Sequence, residues 1–378
     1  MKAIIAVPVT LAMVYRAWSH QSLTPAGIVA ATLTAIAHAV HPWSLPFALL
    51  IVFFLAGTRV TKVKHDVKAK LTMQSSGNSG GEGARTHIQV FANSGVASIL
   101  CLLHAYQLRQ QSPDTCYSWP GDLLIVGIIA NYAAVAADTF SSELGILSKS
   151  HPRLITSITF RKVPPGTNGG VTAYGLAAGL LGSLIIVTTS MALTPFCPPK
   201  SPVTGQRDMH GWTLTERNRF TFAMALWGAL GSVLDSLLGG WLQQSVVDTR
   251  TGRIVEGEGG KRVLVSKKGP NSMHYKKRAE IKASLLNGEG KNAIPMQGPA
   301  VEDELDHKMG DMDKYDARKK FRKPSFGDEK PSRIVESGML SLLDNNEVNF
   351  VMALTMSLGA MGVASWLWDV PFSSILPV

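Results

Sequence analysis

Charged residues and cysteines are both scarce in this chain. Only 17% of its 378 residues are charged, while 46% are hydrophobic and grouped in blocks, which excludes a string of ordinary soluble domains. The three cysteines, Cys101, Cys116 and Cys197, have neither CxxC spacing nor a histidine spacing suited to zinc. We expect unpaired thiols, although Cys116 and Cys197 could pair in an oxidising lumen.

A Walker-type phosphate loop is also missing. The stretch KRVLVSKKG (261–269) lacks the GxxxxGK[ST] pattern, so we interpret it as a solvated charged segment. The net charge of +10 would suggest nucleic acid in a soluble chain. Here the lysines and arginines lie between apolar blocks, which is typical of a membrane protein, and we expect no nucleic-acid partner.

The apolar blocks predict an all-α, polytopic transmembrane helix bundle with about seven or eight spans, since a helix needs roughly 20 apolar residues to cross a bilayer. The first block resembles a signal peptide in position, but Arg16 and Trp18 follow it without a small-residue cleavage site, so we keep it as a helix. The candidate spans are 3–18, 25–41, 44–60, 91–108, 120–140, 171–192, 219–246 and 348–368.

The connections between these spans differ in basic residues. With eight spans, segments 61–90, 141–170 and 247–347 share one side and are rich in Lys and Arg, whereas 41–44 has neither; segment 193–218 is an exception on the poorer side. By the positive-inside rule the first set is cytosolic and both termini face away from it. An Arg- and Ser-rich leader is missing, so we expect the endoplasmic reticulum membrane.

Residues 248–345 differ in composition from the rest. They are rich in Gly, Lys, Asp and Glu without an apolar period, so they predict a long, disordered, charged cytosolic insertion. This divides the chain into a membrane bundle (1–247), the loop (248–345) and a last helix with its tail (346–378), which belongs to the same bundle. A smaller polar insertion covers about 73–83.

Two acidic motifs interrupt the apolar spans. ADTFSSELG (137–145) carries Asp138 and Glu143, and LDSLLGGWLQ (234–243) carries Asp235. Ionisable groups at membrane depth are costly and usually functional, and two carboxylates reaching one membrane face suit Mg²⁺, which binds one or two carboxylates together with substrate phosphates. The small residues around Asp235 also fit helix packing.

The stretch VPPGTNGGVT (163–172) precedes the sixth span. Its glycines can present backbone N–H groups to an anion at a helix N-terminus, with Lys162 beside them. The alternative is a tight turn in which Thr167 or Asn168 caps the helix.

Several blocks resemble the transmembrane protein 19 family, integral membrane proteins that include the plant phytyl-phosphate kinase. The resemblance extends from about Arg16 to Trp368, interrupted by the charged insertion. It is carried by GTRVTKVKHDVKAK (57–70), GARTHIQVFANSG (83–95), ADTFSSELG, PRLITSITFRKVPPGTNGGVTAYG (152–175), LDSLLGGWLQ and LDNNEVNF (343–350).

The resemblance implies a Mg²⁺-dependent kinase that transfers a phosphoryl group from a nucleoside triphosphate to an isoprenoid (phytyl or prenyl) monophosphate. ADTFSSELG is also similar to the Asp-x-x-Ala/Ser-x-x-x-Gly motif of CTP-dependent polyprenol kinases, which makes CTP a candidate donor, although Ala137 stands where those kinases often have glycine. The expected partners are the bilayer, the nucleotide and a lipid phosphate whose tail stays in the membrane.

Phosphoryl transfer requires charge neutralisation and alignment, and we assign the polar residues accordingly. Asp138 and Asp235 are the catalytic and metal-binding residues, supported by Glu143. The phosphate and nucleotide site consists of Gly166, Asn168, Gly169, Gly170, Lys162, Arg85, Arg153, Asn93 and Asn349. The competing hypotheses are a transporter of an anionic or phosphorylated substrate and a non-catalytic membrane protein.

Overall fold

The computed structural model describes residues 3–75, 80, 83–110, 116–118, 121–198, 211–263, 265, 333–338 and 340–376. Two compact units are present. The first comprises Met1–Ser245, Arg253–Val263 and Glu336–Val378, and the second comprises Val246–Gly252 and Leu264–Val335. All helices listed below belong to the first unit.

Apolar helices account for most of the described chain. In the described residues, α3 and α5 to α9 are long and apolar enough to cross a membrane, whereas α1 and α2 are apolar but shorter. The predicted helix bundle is confirmed, and each predicted span overlaps one helix. The helices are α1 (Ala3–Ser19), α2 (Pro25–Ala39), α3 (Leu45–Lys62), α4 (His65–Lys68), α5 (His87–Gln110), α6 (Leu123–Gly145), α7 (Ala173–Leu193), α8 (Leu214–Leu242) and α9 (Asn345–Trp368).

Capping residues determine where two of the helices begin, and these starts differ from those predicted from hydropathy. The Thr213 side chain and Glu216 form a capping box at the start of α8, so the helix begins five residues before the predicted 219. Asp344 and Glu347 form the same motif at the start of α9. Each box satisfies backbone N–H groups that would otherwise lack partners in the first turn.

Helix α6 is the centre of the bundle. In its most apolar stretch 89% of the residues are buried, because α3, α5, α7, α8 and α9 all pack against it. Among the described residues, the other long apolar helices are less than half buried over the same length, and they expose apolar side chains such as Leu181, Leu230 and Phe222. That distribution fits helices that face lipid around a central one.

Short strands join the segments at one end of the bundle. β1 (Thr72–Gln74) pairs in parallel with β5 (Ile254–Glu256), and β2 (Arg153–Leu154) pairs antiparallel with β3 (Gly170–Val171). In a separate pairing, β4 (Ser245–Asp248) and β6 (Arg333–Ser337), most of whose residues belong to the second unit, are sheet neighbours.

The range 248–345, which we expected to be disordered, contains strands at both of its ends. β5 lies near the start and β6 near the end, whereas 264, 266–332 and 339 lie outside the described residues. The smaller insertion at about 73–83 likewise overlaps β1, and 76–79 and 81–82 lie outside the described residues.

The connections α5–α6 and α7–α8 meet at the other end of the bundle. Cys116 and Cys197 form a disulfide bond there, with their Cα atoms 5.0 Å apart, so the expectation of unpaired thiols was wrong for these two residues. The reason is local pairing: Tyr117 N–H donates to the Pro195 carbonyl at 2.8 Å, and Cys197 N–H donates to the Tyr117 carbonyl at 3.0 Å. Cys101 is free and buried in α5.

Candidate functional site

A polar cavity of about 420 Å³ lies where helix ends converge. The C-terminal ends of α3, α6 and α8 and the N-terminal ends of α5, α7 and α9 all contribute to its lining. Its volume is typical of a small-molecule site. Of the predicted site residues, those that line it are Asp138, Asp235, Glu143, Gly166, Asn168, Gly169, Gly170, Arg85, Asn93 and Asn349.

Arg153 and Lys162 lie outside this lining. Both side chains are exposed, and an isolated antiparallel bridge joins their backbones. Arg153 Nη1 donates to the Phe160 carbonyl at 3.2 Å, so its guanidinium binds the backbone of the neighbouring loop. Arg153 and Lys162 were expected at the edge of the cavity. They lie on the strand pair next to the glycines, with their side chains exposed to solvent and not in the cavity lining.

The two aspartates meet because α6 and α8 pack closely. A Cβ on Gly231 would lie 2.6 Å from the Ala134 Cβ, too close for any side chain. The two helices run in the same direction, and Asp235 and Asp138 each lie one helical turn beyond this contact. The absence of a side chain at Gly231 therefore brings the two carboxyl groups together.

The side chains of Asp138 and Asp235 interact with each other, and both residues line the cavity. Asn349 on α9, with its amide nitrogen turned toward its acceptors, donates to Asp235 Oδ1 at 3.2 Å. Two carboxylates in contact repel each other unless a proton or a cation lies between them. Oxygen atoms in this arrangement fit a hard divalent cation such as Mg²⁺.

The described residues contain no group of three or more His, Cys, Asp or Glu side chains that could hold a metal ion. The aspartate pair would thus supply two carboxylates, and water or ligand oxygens would supply the remaining ligands. Mg²⁺ commonly binds in this way, since it keeps several waters and uses few protein ligands.

Glu143 has a different partner from the one that we expected. It forms an ion pair with Lys68, and both side chains are largely buried, at 12% and 7% exposure. Lys68 Nζ also donates to the Thr61 carbonyl at 2.6 Å. Glu143 lies five residues after Asp138, about 140° around the helix, so it fastens the α3–α4 connection to α6 instead of supporting the aspartates.

The glycine-rich loop is docked on the helix that carries Asp235. Gly166 and Gly169 have φ values of 85° and 80°, which other residues rarely adopt. A Cβ on Gly169 would lie 2.8 Å from the Gly240 Cα and 3.0 Å from the Ser236 carbonyl oxygen. The loop and the aspartate pair therefore lie in the same part of the cavity.

Two of the loop amides that were expected to bind phosphate already have partners. Asn168 N–H donates to Ser245 Oγ at 2.9 Å, and Gly170 N–H donates to the Thr167 carbonyl at 2.9 Å. The N-cap of α7 is Thr172, whose Oγ1 accepts from Gly175 N–H at 2.9 Å, not Thr167 or Asn168. At these positions the loop is a braced turn that forms one wall of the cavity.

Comparison with known proteins gives the chain its family. A family model described as "Integral membrane protein DUF92" matches residues 8–357. The chain belongs to this family. The prediction of transmembrane protein 19 family membership is confirmed, and the matched range contains every residue assigned to the site.

Relatives of this DUF92 protein occur in plants and archaea. Protein PGR of Arabidopsis thaliana is 35% identical over 248 residues, 65% of this chain and 80% of the relative. Protein VTE6, chloroplastic, of the same plant is 30% identical over 185 residues, 48% of this chain and 50% of the relative. An uncharacterised membrane protein of Methanocaldococcus jannaschii is 36% identical over 138 residues, 36% and 49% of the two chains. No solved structure matches the chain.

The DUF92 protein also places cations in the cavity that the sequence analysis missed. Lys261 and Arg262 line it, and both are exposed, so the interpretation of the stretch that begins with them as solvated holds for these two residues. Arg262 Nη1 donates to the Ser341 carbonyl at 2.7 Å, and Asn346 Nδ2 donates to the Gly259 carbonyl at 2.9 Å. Glycines 257, 259 and 260 immediately before the two cations are the signal that could have identified them.

Arg85 is fixed at the cavity by its backbone as well as by its side chain. Its N–H donates to the Ser22 carbonyl at 3.0 Å, and its carbonyl accepts from Thr24 N–H at 2.9 Å. Arg85 Nη2 donates to Thr61 Oγ1 at 3.0 Å. The connection α1–α2 therefore holds this guanidinium at the cavity wall.

Proposed function

We propose that this protein is a membrane-embedded, Mg²⁺-dependent kinase that transfers a phosphoryl group from a nucleoside triphosphate to an isoprenoid monophosphate. The observation that carries the proposal is the Asp138–Asp235 contact inside a polar cavity that also contains Arg85, Lys261 and Arg262. The resemblance to the family of the plant phytyl-phosphate kinase supports it. CTP is the donor that we propose to test first.

The reaction needs little covalent help from the protein. A phosphate oxygen of the acceptor forms a bond to the γ-phosphorus while the bond from that phosphorus to the β-phosphate bridging oxygen breaks, and the nucleoside diphosphate leaves with the electron pair. Asp138 and Asp235 would hold Mg²⁺, which supplies charge neutralisation to the phosphates when bound. The acceptor is already an anion, so the site requires no general base.

The cations of the cavity have a clear task in this scheme. Two phosphorylated substrates bring several negative charges together, and cations that approach the transferred group stabilise the charge that is spread over its oxygens. Arg85 enters from the start of α5, and Lys261 and Arg262 enter from the segment after β5. They belong to other segments of the chain than the two carboxylates do.

The position of the cavity supports a kinase over a transporter. Its lining comes from the ends of the helices and from the connections beyond them, where a water-soluble nucleotide has access. A transport pathway would place its polar groups near mid-membrane, within reach of both sides. At the opposite end, Trp212 stacks on Tyr117 with ring centroids 5.0 Å apart, and both side chains are buried.

For the orientation, we propose that the cavity faces the cytosol from the endoplasmic reticulum membrane. The Cys116–Cys197 disulfide at the opposite end supports this choice, because disulfides persist in an oxidising lumen. One relative is chloroplastic by its name, so finding this protein in a plastid membrane would contradict the proposed compartment. Fractionation of cells that express the tagged chain distinguishes the two.

The test of the activity is a direct assay. Purified protein is incubated with Mg²⁺, each nucleoside triphosphate in turn and short-chain isoprenyl monophosphates, and the isoprenyl diphosphate is detected by mass. We expect diphosphate with at least one donor and none without Mg²⁺. Flux of a labelled organic phosphate into proteoliposomes without nucleotide turnover would overturn the kinase in favour of a transporter.

A further inference from the structure

A second, apolar cavity lies beside the polar one. It is formed by α1, α2, α3 and the start of α5, with side chains such as Met13, Ile28, Leu50 and Phe54 in its lining. Its volume is about 80 Å³. We call it the apolar groove. Nothing in the proposed phosphoryl transfer uses it.

The few hydroxyl groups in this lining use their hydrogens within their own helices. Each donates to a carbonyl oxygen of its own helix three or four residues earlier, at 2.7 to 2.9 Å, as helix-bound hydroxyls commonly do. The groove therefore presents methyl and methylene groups to its interior, which suits a hydrocarbon chain. The hydroxyl residues are Thr10, Thr32, Thr34 and Ser94.

The apolar groove and the polar cavity share a wall. Arg85, Gln89 and Asn93 line both. Gln89 and Asn93 lie one turn apart on α5, and therefore on one face of the helix, with Arg85 just before its start. A molecule with an apolar chain and an anionic head could place the chain in the groove and its head in the cavity at this wall.

We propose that the apolar groove binds the head-proximal part of the isoprenoid chain of a lipid monophosphate, with the phosphate at Arg85. This inference rests on the proposed function, in which the lipid phosphate is the acceptor of the phosphoryl group. A guanidinium suits the planar, two-point recognition of phosphate oxygens. Ile28 and Ala35, which mark the groove along α2, are about 10 Å apart along a helix, so the rest of a long chain extends into lipid.

The first test fills the groove. Ala31 is a partly buried lining residue of α2, and Ala31→Trp should raise the KM for geranylgeranyl monophosphate about tenfold, the change expected when two methylene groups lose their burial. The kcat should stay close to that of the wild type. Leu33→Trp is the matched control, because Leu33 is 55% exposed and points away from Ala31 on the same helix.

The second test uses only the wild-type protein and needs no turnover, so its result does not depend on whether a variant folds. A diazirine-bearing geranylgeranyl monophosphate is photolysed with the wild-type protein in the absence of nucleotide, and the labelled peptides are identified by mass spectrometry. We expect labels on α1, α2 and α3 between Thr10 and Phe54. The corresponding alcohol probe, which lacks the phosphate, should label these peptides several-fold less.

The outcomes separate this inference from the proposed kinase. Labels in the groove without diphosphate formation from any donor would support the lipid site and overturn the kinase. Diphosphate formation with labels confined to other helices would overturn the groove and leave the kinase standing. Equal KM values for Ala31→Trp, Leu33→Trp and wild type would also count against the groove.

Discussion

At one end of the bundle six helix termini surround a cavity of about 420 Å³, whereas at the other end, which we call the filled end, the described aromatic side chains pack against one another. The filled end has the Cys116–Cys197 disulfide and the stacked pair Tyr117–Trp212. Unfilled space generally costs stability. This contrast between the two ends is what the proposed ligand site predicts.

The pairing of polar groups also differs between the two ends. At the filled end, His41 Nε2 and His104 Nδ1 are 2.8 Å apart, and His104 Nε2 and Asp122 Oδ2 are 2.9 Å apart, so each group has a complementary partner. At the cavity end Asp138 meets another carboxyl group. In the first arrangement unlike groups are paired, whereas in the second two groups of the same kind meet, and the proposed cation site rests on that difference.

The largest expected effect tests the aspartate pair. Asp138→Asn and Asp235→Asn should each lower diphosphate formation about a hundredfold to a thousandfold, the usual cost of removing one charge-stabilising group. Asp66→Asn is the control, because Asp66 is fully exposed on α4, and it should keep wild-type activity. Wild-type turnover in a folded Asp235→Asn protein would remove that residue from the mechanism.

The next effect concerns the ion pair at the cavity wall. Lys68→Met leaves Glu143 buried without its partner and should lower the free energy of unfolding by about 3 kcal/mol, measured by thermal unfolding in detergent. Lys162→Met removes an exposed cation outside the cavity and should leave both stability and activity close to wild type. Combining Lys68→Met with Glu143→Gln should recover part of the lost stability; a double variant that is no more stable than Lys68→Met argues against the pair.

A smaller effect is expected at the filled end, and it sharpens the comparison. The Cys116→Ser/Cys197→Ser variant should lose about 2 kcal/mol of stability, the lower part of the usual range, while its kcat at a temperature where it is folded stays near that of the wild type. Cys101→Ala, which removes the free thiol, is the control. A kcat that falls in parallel with stability would mean that the two ends are not independent.

The smallest of these effects comes from the glycine loop. Gly169→Ala adds a Cβ where φ is 80° and where Gly240 and Ser236 leave no room, a strain of about 1–3 kcal/mol. Displacing the loop from α8 should lower kcat/KM about tenfold in the diphosphate assay. Ala173→Gly, just beyond the loop at the start of α7, is the comparison and should change kcat/KM less than Gly169→Ala does.

Patterns within one helix could be predicted from the sequence, whereas pairings between distant segments could not. Among the described residues, the apolar blocks located the six helices long enough to cross a membrane and the two shorter apolar ones, because burial and membrane insertion both require continuous apolar residues. Asp138 and Asp235 were identified by the cost of a charge inside a span. Their contact depends on Gly231 packing against Ala134, which no local pattern shows.

The errors arose where a long-range contact decides a residue's role. Cys116 and Cys197 are separated by 81 residues, so their spacing does not indicate a bond. Lys261 and Arg262 are solvated as expected, but their place at the cavity follows from the parallel pairing of β5 with β1, which composition does not show. Glu143 was assigned by its nearness to Asp138 in sequence, but helix geometry turns it toward Lys68.

The measurement that tests the central claim most directly is divalent-cation binding followed through Mn²⁺, whose paramagnetic resonance reports the bound ion in place of Mg²⁺. Wild-type protein with a non-hydrolysable nucleoside triphosphate analogue is compared with Asp235→Asn and Asp66→Asn. The account predicts bound Mn²⁺ in the wild type and in Asp66→Asn, and at least about tenfold weaker binding in Asp235→Asn. Equal binding in all three proteins would contradict it.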